Sequence, residues 1–327
     1  MNAETPWAAL RPRITPTESF FIRNHFDEPT VAADTFRLRI TQGSTSLREL
    51  TLPQLERLPQ EQVTSTLECA GNGRTHVVPR PAGVPWGDRA VGCATWEGPS
   101  LAHLLRSAPP APDVVEAVFV GADRGVAEGG EAWFERSLPL SVALRPGPIL
   151  ALRMNGAPLP KSHGAPVRLV VPGWYGMASV KWLIEVRYVS TPFSGFFQQD
   201  EYRYDDAVPV TMVRPKSLLL RPLPGDEVPP GRATLEGRAW SGHGIAEVRV
   251  QIDDGEWLRC GLGPAEGPFD WRDWSCTVDF GPGRHRIRVR ARSTEGEWQP
   301  LEPIANRRGY GYNTAHAVEV AVATQRT

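Results

Sequence analysis

The sequence predicts an α+β domain over residues 1–206 followed by an immunoglobulin-like antiparallel β-sandwich over 207–327. Three observations carry this. Proline and glycine number 32 and 31 in 327 residues, which suits short strands and irregular connections better than helical bundles. Helical periodicity is scarce, and beyond residue 207 apolar and polar residues alternate with the period of a half-buried strand.

In chain order, Phe36-Arg37-Leu38-Arg39-Ile40 alternates as a strand. Thr51 to Leu58 reads as a short helix. A second helix is expected after Gly98-Pro99, with Ser100 as its cap and Leu101, Leu104 and Leu105 on one face. Val167 to Val171 reads as another strand. A turn-rich stretch from Arg214 to Gly231 marks the domain entry, with Pro215, Pro222, Pro224, Pro229 and Pro230. Val248, Val250 and Ile252 then face inward, opposite Glu247, Arg249 and Gln251, and Asp254-Gly255 turns the chain toward Trp257. Trp274, Cys276, Val278 and Phe280 form a second inward set, Ile287, Val289 and Ala291 a third, and Val318, Val320 and Val322 a fourth. Arg284, Arg286, Arg288, Arg290 and Arg292 take the outward positions of one strand. Two readings stand for that stripe: a solvated face, or a surface for acidic residues of a partner subunit or an electron acceptor.

A chain of this length suits two domains, each with its own core. Apolar residues at 41% and charged residues at 22% are those of an ordinary globular protein. A net charge of −1 argues against a general nucleic-acid or membrane surface, and no apolar stretch reaches the roughly 20 residues of a membrane span. Met1 to Trp7 shows neither a basic start before an apolar run nor a twin-arginine signal, so a cytoplasmic location is expected, or a periplasmic one if a leader has been removed. Only Lys161, Lys181 and Lys216 are lysines among 36 basic residues, so arginine carries the positive charge. Its planar fork of donors suits phosphates and small oxyanions.

The four cysteines Cys69, Cys93, Cys260 and Cys276 lack the spacing of a zinc ribbon, a redox dithiol or a c-type haem site. Cys69 stands apart from the others. It lies in Thr66-Leu67-Glu68-Cys69-Ala70-Gly71-Asn72-Gly73-Arg74, where small residues let a bulky group approach the backbone and a thiolate selects soft metals. Packing alone is the plainer explanation of any single cysteine.

The run Cys-Ala-Gly-Asn with a following arginine resembles the hallmark of the sulfite oxidase family of molybdenum enzymes. Further segments match in the family's order: Phe20-Phe21-Ile22-Arg23-Asn24-His25, His163-Gly164-Ala165-Pro166-Val167-Arg168, Val180-Lys181-Trp182-Leu183 and Asn306-Arg307-Arg308-Gly309. The resemblance implies molybdenum held by a pyranopterin cofactor, with Cys69 as the protein ligand. It assigns Arg23, Asn24, His25, Asp123, Ser137, His163, Arg168 and Lys181 to the pterin and its phosphate. Arg23, Arg74 and Arg308 would ring the substrate, Tyr202 after Glu201 would be the active-site tyrosine, and Trp86 would wall the pocket.

The implied reaction is oxidation of sulfite to sulfate with electrons passed to a separate acceptor, a cytochrome or oxygen. No haem-binding domain is expected in the chain, and the resemblance implies a sandwich that serves homodimerisation. The family's commoner pattern has two basic residues after Asn, whereas Gly73 precedes Arg74 here, which puts the substrate in question more than the cofactor. The alternatives are a sulfoxide or nitrate reductase of the same fold, or a cofactor-free binding protein.

Overall fold

A computed structural model describes residues 2–128, 130–205, 207–304 and 306–323. The domain boundary expected at 206 falls on Asp206, outside the described residues. Strands in the N-terminal part are β1 (Arg37–Gln42), β2 (Thr45–Thr51), β3 (Gln60–Glu68), β4 (Val91–Pro99), β5 (Glu116–Ala127), β6 (Gly130–Pro139), β7 (Ile149–Ala151), β8 (Arg153–Met154), β9 (Ala157–Pro158), β10 (Arg168–Val170) and β11 (Leu183–Val189). They form a five-stranded sheet in the order β2-β1-β11-β5-β6, a four-stranded sheet β3-β4-β8-β9 and a small β10-β7 pair. β1 and β11 run parallel, while β11 pairs antiparallel with β5 and β5 with β6.

The helices are short: α1 (Leu52–Glu56), α2 (Leu101–Arg106), α3 (Leu140–Ala143) and α4 (Phe196–Gln199). Thr51 and Gln54 cap α1 reciprocally, each side chain accepting from the other's backbone N–H. At α2 the expected serine cap is absent: Ser100 occupies the position, but its side chain makes no capping bond. Burial of Leu101, Leu104 and Leu105 holds this helix instead, together with a 2.9 Å bond from the Leu101 amide to Pro148 O.

The strand that positions the thiol is β3. Its first residues are exposed and its last four, Ser65 to Glu68, are buried, so the strand drives inward and delivers Cys69 to the interior. An unshifted antiparallel ladder with β4, from Gln60 opposite Pro99 to Glu68 opposite Val91, fixes this register.

The remaining strands are β12 (Lys216–Arg221), β13 (Glu227–Val228), β14 (Gly231–Trp240), β15 (Ile245–Ile252), β16 (Leu258–Arg259), β17 (Gly261–Leu262), β18 (Arg272–Phe280), β19 (Gly283–Ser293) and β20 (His316–Val322). They make a two-sheet sandwich, β12-β14-β18-β17 against β13-β20-β19-β15-β16. The inward sets expected from alternation fill its core: Val248, Val250, Trp274, Val278, Phe280, Ile287, Val289, Ala291, Val318, Val320 and Val322 are all buried. The outward set is less solvated than the pattern predicts. Glu247 is buried because Arg249 and Arg292 close over it at 2.6 and 2.8 Å, and Gln251 is buried too, with its side-chain amide donating to Gly255 O. A second core runs through the N-terminal sheets and continues into Leu218, Leu220, Trp240, Trp271 and Tyr310, joining the sandwich to the rest. Among the described residues no helix is long and apolar enough to cross a membrane.

Candidate active site

Cys69 opens onto a cleft that encloses about 690 Å³ of empty space, counted together with the open solvent at its mouth. Arg23, Asn24, His25, Cys69, Asp123, His163, Arg168, Lys181 and Tyr202 all line it, drawn from segments spread over nearly 180 residues. Phe20, Phe21, Leu67, Phe134 and Met177 supply apolar walls. Trp86 is buried in the same apolar cluster as Cys69. Ser137 lies on β6, buried and outside this lining, with its Oγ unpartnered. Arg74 and Arg308 also stand apart from the lining. The Arg74 guanidinium folds against Gly71, donates to Val84 O at 2.8 Å and Arg308 O at 3.0 Å, and lies over the Tyr310 ring. Arg308 donates to the Glu201 carboxylate and to Asp200 O at 3.2 Å.

The cleft is cationic. Arg168 is buried, donates to His163 O at 3.1 Å and Ser179 O at 3.0 Å, and keeps its Nε unpartnered. Burial lowers its pKa to about 9. Lys181 donates to Asn24 Oδ1 and to Ser162 O at 2.9 Å, and burial followed by the charge of Arg168 brings its pKa down to about 7. Burial lifts the Asp123 carboxyl to about 7, and one of its oxygens has no partner. His163 is pulled to about 4 by burial and by Arg168, so its ring is neutral and donates from Nε2 to Thr17 O at 3.1 Å.

At the other end, His25 Nε2 and Tyr202 Oη are 2.5 Å apart. Burial and then Arg23 hold His25 well below the ordinary histidine value, while burial pushes the Tyr202 phenol up. The phenol therefore keeps its proton and donates to a neutral imidazole. Tyr202 has φ +52°, a left-handed conformation uncommon in a residue bearing a Cβ, and Trp182 beside Lys181 has φ +49°.

Several neighbours give no signal in the linear sequence. Arg136 is buried over the Tyr202 ring, and burial lowers its pKa to about 10. Tyr310 stacks on Tyr202 at 5.2 Å and donates to Glu201. Gly73 has φ +91°, and a Cβ there would overlap the Tyr312 ring, which itself stacks on His76.

The matching family description over residues 25–197 is the oxidoreductase molybdopterin binding domain. The chain is 35% identical to sulfite oxidase of Gallus gallus, over 94% of its own length and 73% of that protein's. The chain belongs to the sulfite oxidase family.

Mitochondrial sulfite oxidase of Macaca fascicularis is 34% identical over 98% of the chain, which spans 64% of that relative's length. The sulfane dehydrogenase SoxCD of Paracoccus pantotrophus superposes with a TM-score of 0.83 at 26% identity, covering 96% of this chain and 82% of that one. The sulfite oxidase family fold, a molybdopterin-binding domain followed by a sandwich, is the one described above.

The residues present fit the family's cofactor. Unpartnered polar atoms on Asp123 and Arg168 and an excess of buried positive charge call for a polar, anionic occupant. Among the described residues no three His, Cys, Asp or Glu side chains converge to hold an ion. A metal at Cys69 would therefore come with its other ligands, as a pterin-held metal does.

Proposed function

We propose that the chain oxidises sulfite to sulfate with a molybdenum–pterin cofactor and passes the electrons to an external acceptor, a cytochrome or oxygen. The observation that carries this reading is one thiol facing a cleft where, among the described residues, the one lining carboxyl, Asp123, is outnumbered by Arg23, Arg168 and Lys181. When bound, the cofactor supplies the oxygen-atom transfer and the two-electron redox chemistry.

The chain's own groups bind and orient. Cys69 Sγ is the protein ligand to the metal, and Arg168, Lys181 and His163 hold the phosphate and the polar rings. Asp123 accepts from ring N–H groups or, protonated, donates to a ring oxygen. Tyr202 keeps a proton at Oη beside His25 Nε2, poised to bond an oxygen of the bound anion. Arg23, Arg74 and Arg308 attract that anion and balance charge as it reacts. Arg308, which is bonded to Glu201, would be the contribution of the sandwich end of the chain to that ring of charge. Walls of Phe20, Phe21, Leu67 and Met177 exclude water and strengthen these interactions.

A stopped assay of sulfite loss, with ferricyanide and with oxygen, on protein of measured molybdenum content tests the reading. Sulfate should form with both metal and sulfite present; loaded protein inert to sulfite but active on sulfoxides would overturn it.

In the same reading the sandwich pairs two copies of the chain. Exposed Arg284 and Arg286 on its outer face would then meet acidic residues of the second copy.

A further inference from the structure

Glu68 ends β3 and immediately precedes Cys69, yet its carboxylate lies outside the cleft lining and is buried. Three donors meet it. Asn72 Nδ2 donates to Oε1 at 2.8 Å, Lys216 Nζ to Oε1 at 3.1 Å and Trp240 Nε1 to Oε2 at 2.9 Å. Lys216 and Trp240 belong to the paired sandwich strands β12 and β14, where they face each other in register. The ion pair is closed to water, with side chains 3% and 2% exposed.

The same bonds reach the thiol turn. Asn72 donates its amide to Cys69 O at 2.9 Å and accepts from the Ala90 amide at 3.0 Å, while Cys69 donates to Ala90 O at 2.9 Å. Lys216 also reaches Asn72 O at 3.4 Å. Gly71 and Gly73 bring no side chains to this turn and much backbone freedom, so its shape depends on those polar bonds. A carboxylate this deep is costly unless paired, and packing alone would be served as well by an apolar residue.

We propose that Glu68 is a positioning residue for the Cys69 thiol, and that Lys216 and Trp240 make the sandwich part of the turn that presents the metal ligand. Loss of either charge leaves the other buried and alone, frees Asn72, and lets the turn relax. The inference rests on Cys69 being the metal ligand. It gives the sandwich a task at the site beyond pairing copies of the chain.

The test uses full-length holoprotein carrying Glu68→Gln, Lys216→Met, or both. Three quantities are read: the half-life of molybdenum and pterin retention under a chelator, the thiolate-to-metal charge-transfer absorption, and the melting temperature. Each single change is expected to shorten retention about 10–100-fold and shift the absorption band, as loss of a ligand's supporting partner commonly does. The double variant, with no stranded charge, should recover the parent's melting temperature while retention stays short, because the bonds from Lys216 to Glu68 and Asn72 are gone. Singles that melt lower but keep the parent's retention and band would reduce the pair to a structural contact and overturn the proposal, as would a double variant whose retention returns to the parent's. If the singles yield no folded protein, Trp240→Phe removes one donor and keeps the ring; unchanged retention and band there would likewise overturn it. Failure of the underlying reading looks different, because the parent would then lack molybdenum or its absorption band would survive Cys69→Ser.

Discussion

Lys181 offers a quantitative test of the cleft's electrostatics. Its ammonium donates to Asn24 and Ser162 and lies 4.2 Å from the centre of the Trp182 ring. Burial, then Arg168, then Arg23 lower its pKa, against Asp123 and Glu28, and the net result is about 7 instead of 10.5. With no anion bound, about half of these side chains are charged at pH 7 and about 1% at pH 9. A phosphate beside the ammonium restores the charge, so binding above pH 7 takes up a proton. Apparent affinity for the phosphate-bearing pterin should therefore fall on the order of fiftyfold from pH 7 to pH 9, or roughly 2 kcal/mol. Asp123 ionises in the same window and steepens the fall, so the measurement belongs in an Asp123→Asn background.

The assay titrates cofactor-free chain with extracted pterin cofactor by calorimetry, in two buffers of different ionisation enthalpy. It should count close to one proton taken up near pH 8.5, and none in Lys181→Met. Affinity constant between pH 7 and pH 9, or a slope that survives Lys181→Met, refutes the reasoning. The stability of the cofactor-free chain moves the other way. Between about pH 7 and 10.5 the unfolded lysine holds the proton that the folded one has lost, so stability rises with pH through that window. Asp123 has the opposite sign lower down: its folded carboxyl keeps a proton up to about 7, so its contribution is lost as pH rises from 3.8 to about 7.

Tyr202→Phe removes the hydroxyl beside His25, and kcat for sulfite should fall about a hundredfold with KM within about threefold; an unchanged kcat takes Tyr202 out of the proton path. Arg74→Gln should raise KM for sulfite about tenfold and flatten its rise with ionic strength, because its charge, which acts as far as His25 in the cleft, attracts the anion through a screened field. Steady-state kinetics at low and high salt decide it, and a parent enzyme whose KM ignores salt contradicts the placing of the arginines. Reversing Arg284 and Arg286 to Glu should weaken self-association at least about tenfold in sedimentation; an unaltered dimer removes that face from the interface.

The sandwich was legible in the sequence because its strands alternate with period two, and the inward sets Val248 to Ile252 and Val318 to Val322 land where alternation puts them. Glu247 was misjudged for a physical reason: strand pattern tells which side a residue faces, not how far long neighbours on that side cover it, here Arg249 two residues along the same strand and Arg292 opposite it on β19. In the cleft, Arg23, His25, Cys69, Asp123, His163, Arg168, Lys181 and Tyr202 could be gathered from the sequence only through the order of their motifs, since apart from the pairs Arg23 with His25 and His163 with Arg168 they lie far from one another in the chain. Glu68, Lys216, Trp240 and Tyr310 carry no local signal at all. Each acquires its place through a partner at least 100 residues away, which neither periodicity nor spacing encodes. Gly73 read as a missing charge, and the structure gives it a steric reason in the Tyr312 ring.

The central claim is that the Cys69 thiol holds the metal that oxidises sulfite. Its most direct measurement is sulfite turnover by Cys69→Ser beside the parent, each with its molybdenum content and melting temperature determined. Loaded parent should form sulfate, the variant should not turn over, and their melting temperatures should agree. Sulfite oxidation retained by Cys69→Ser would contradict it.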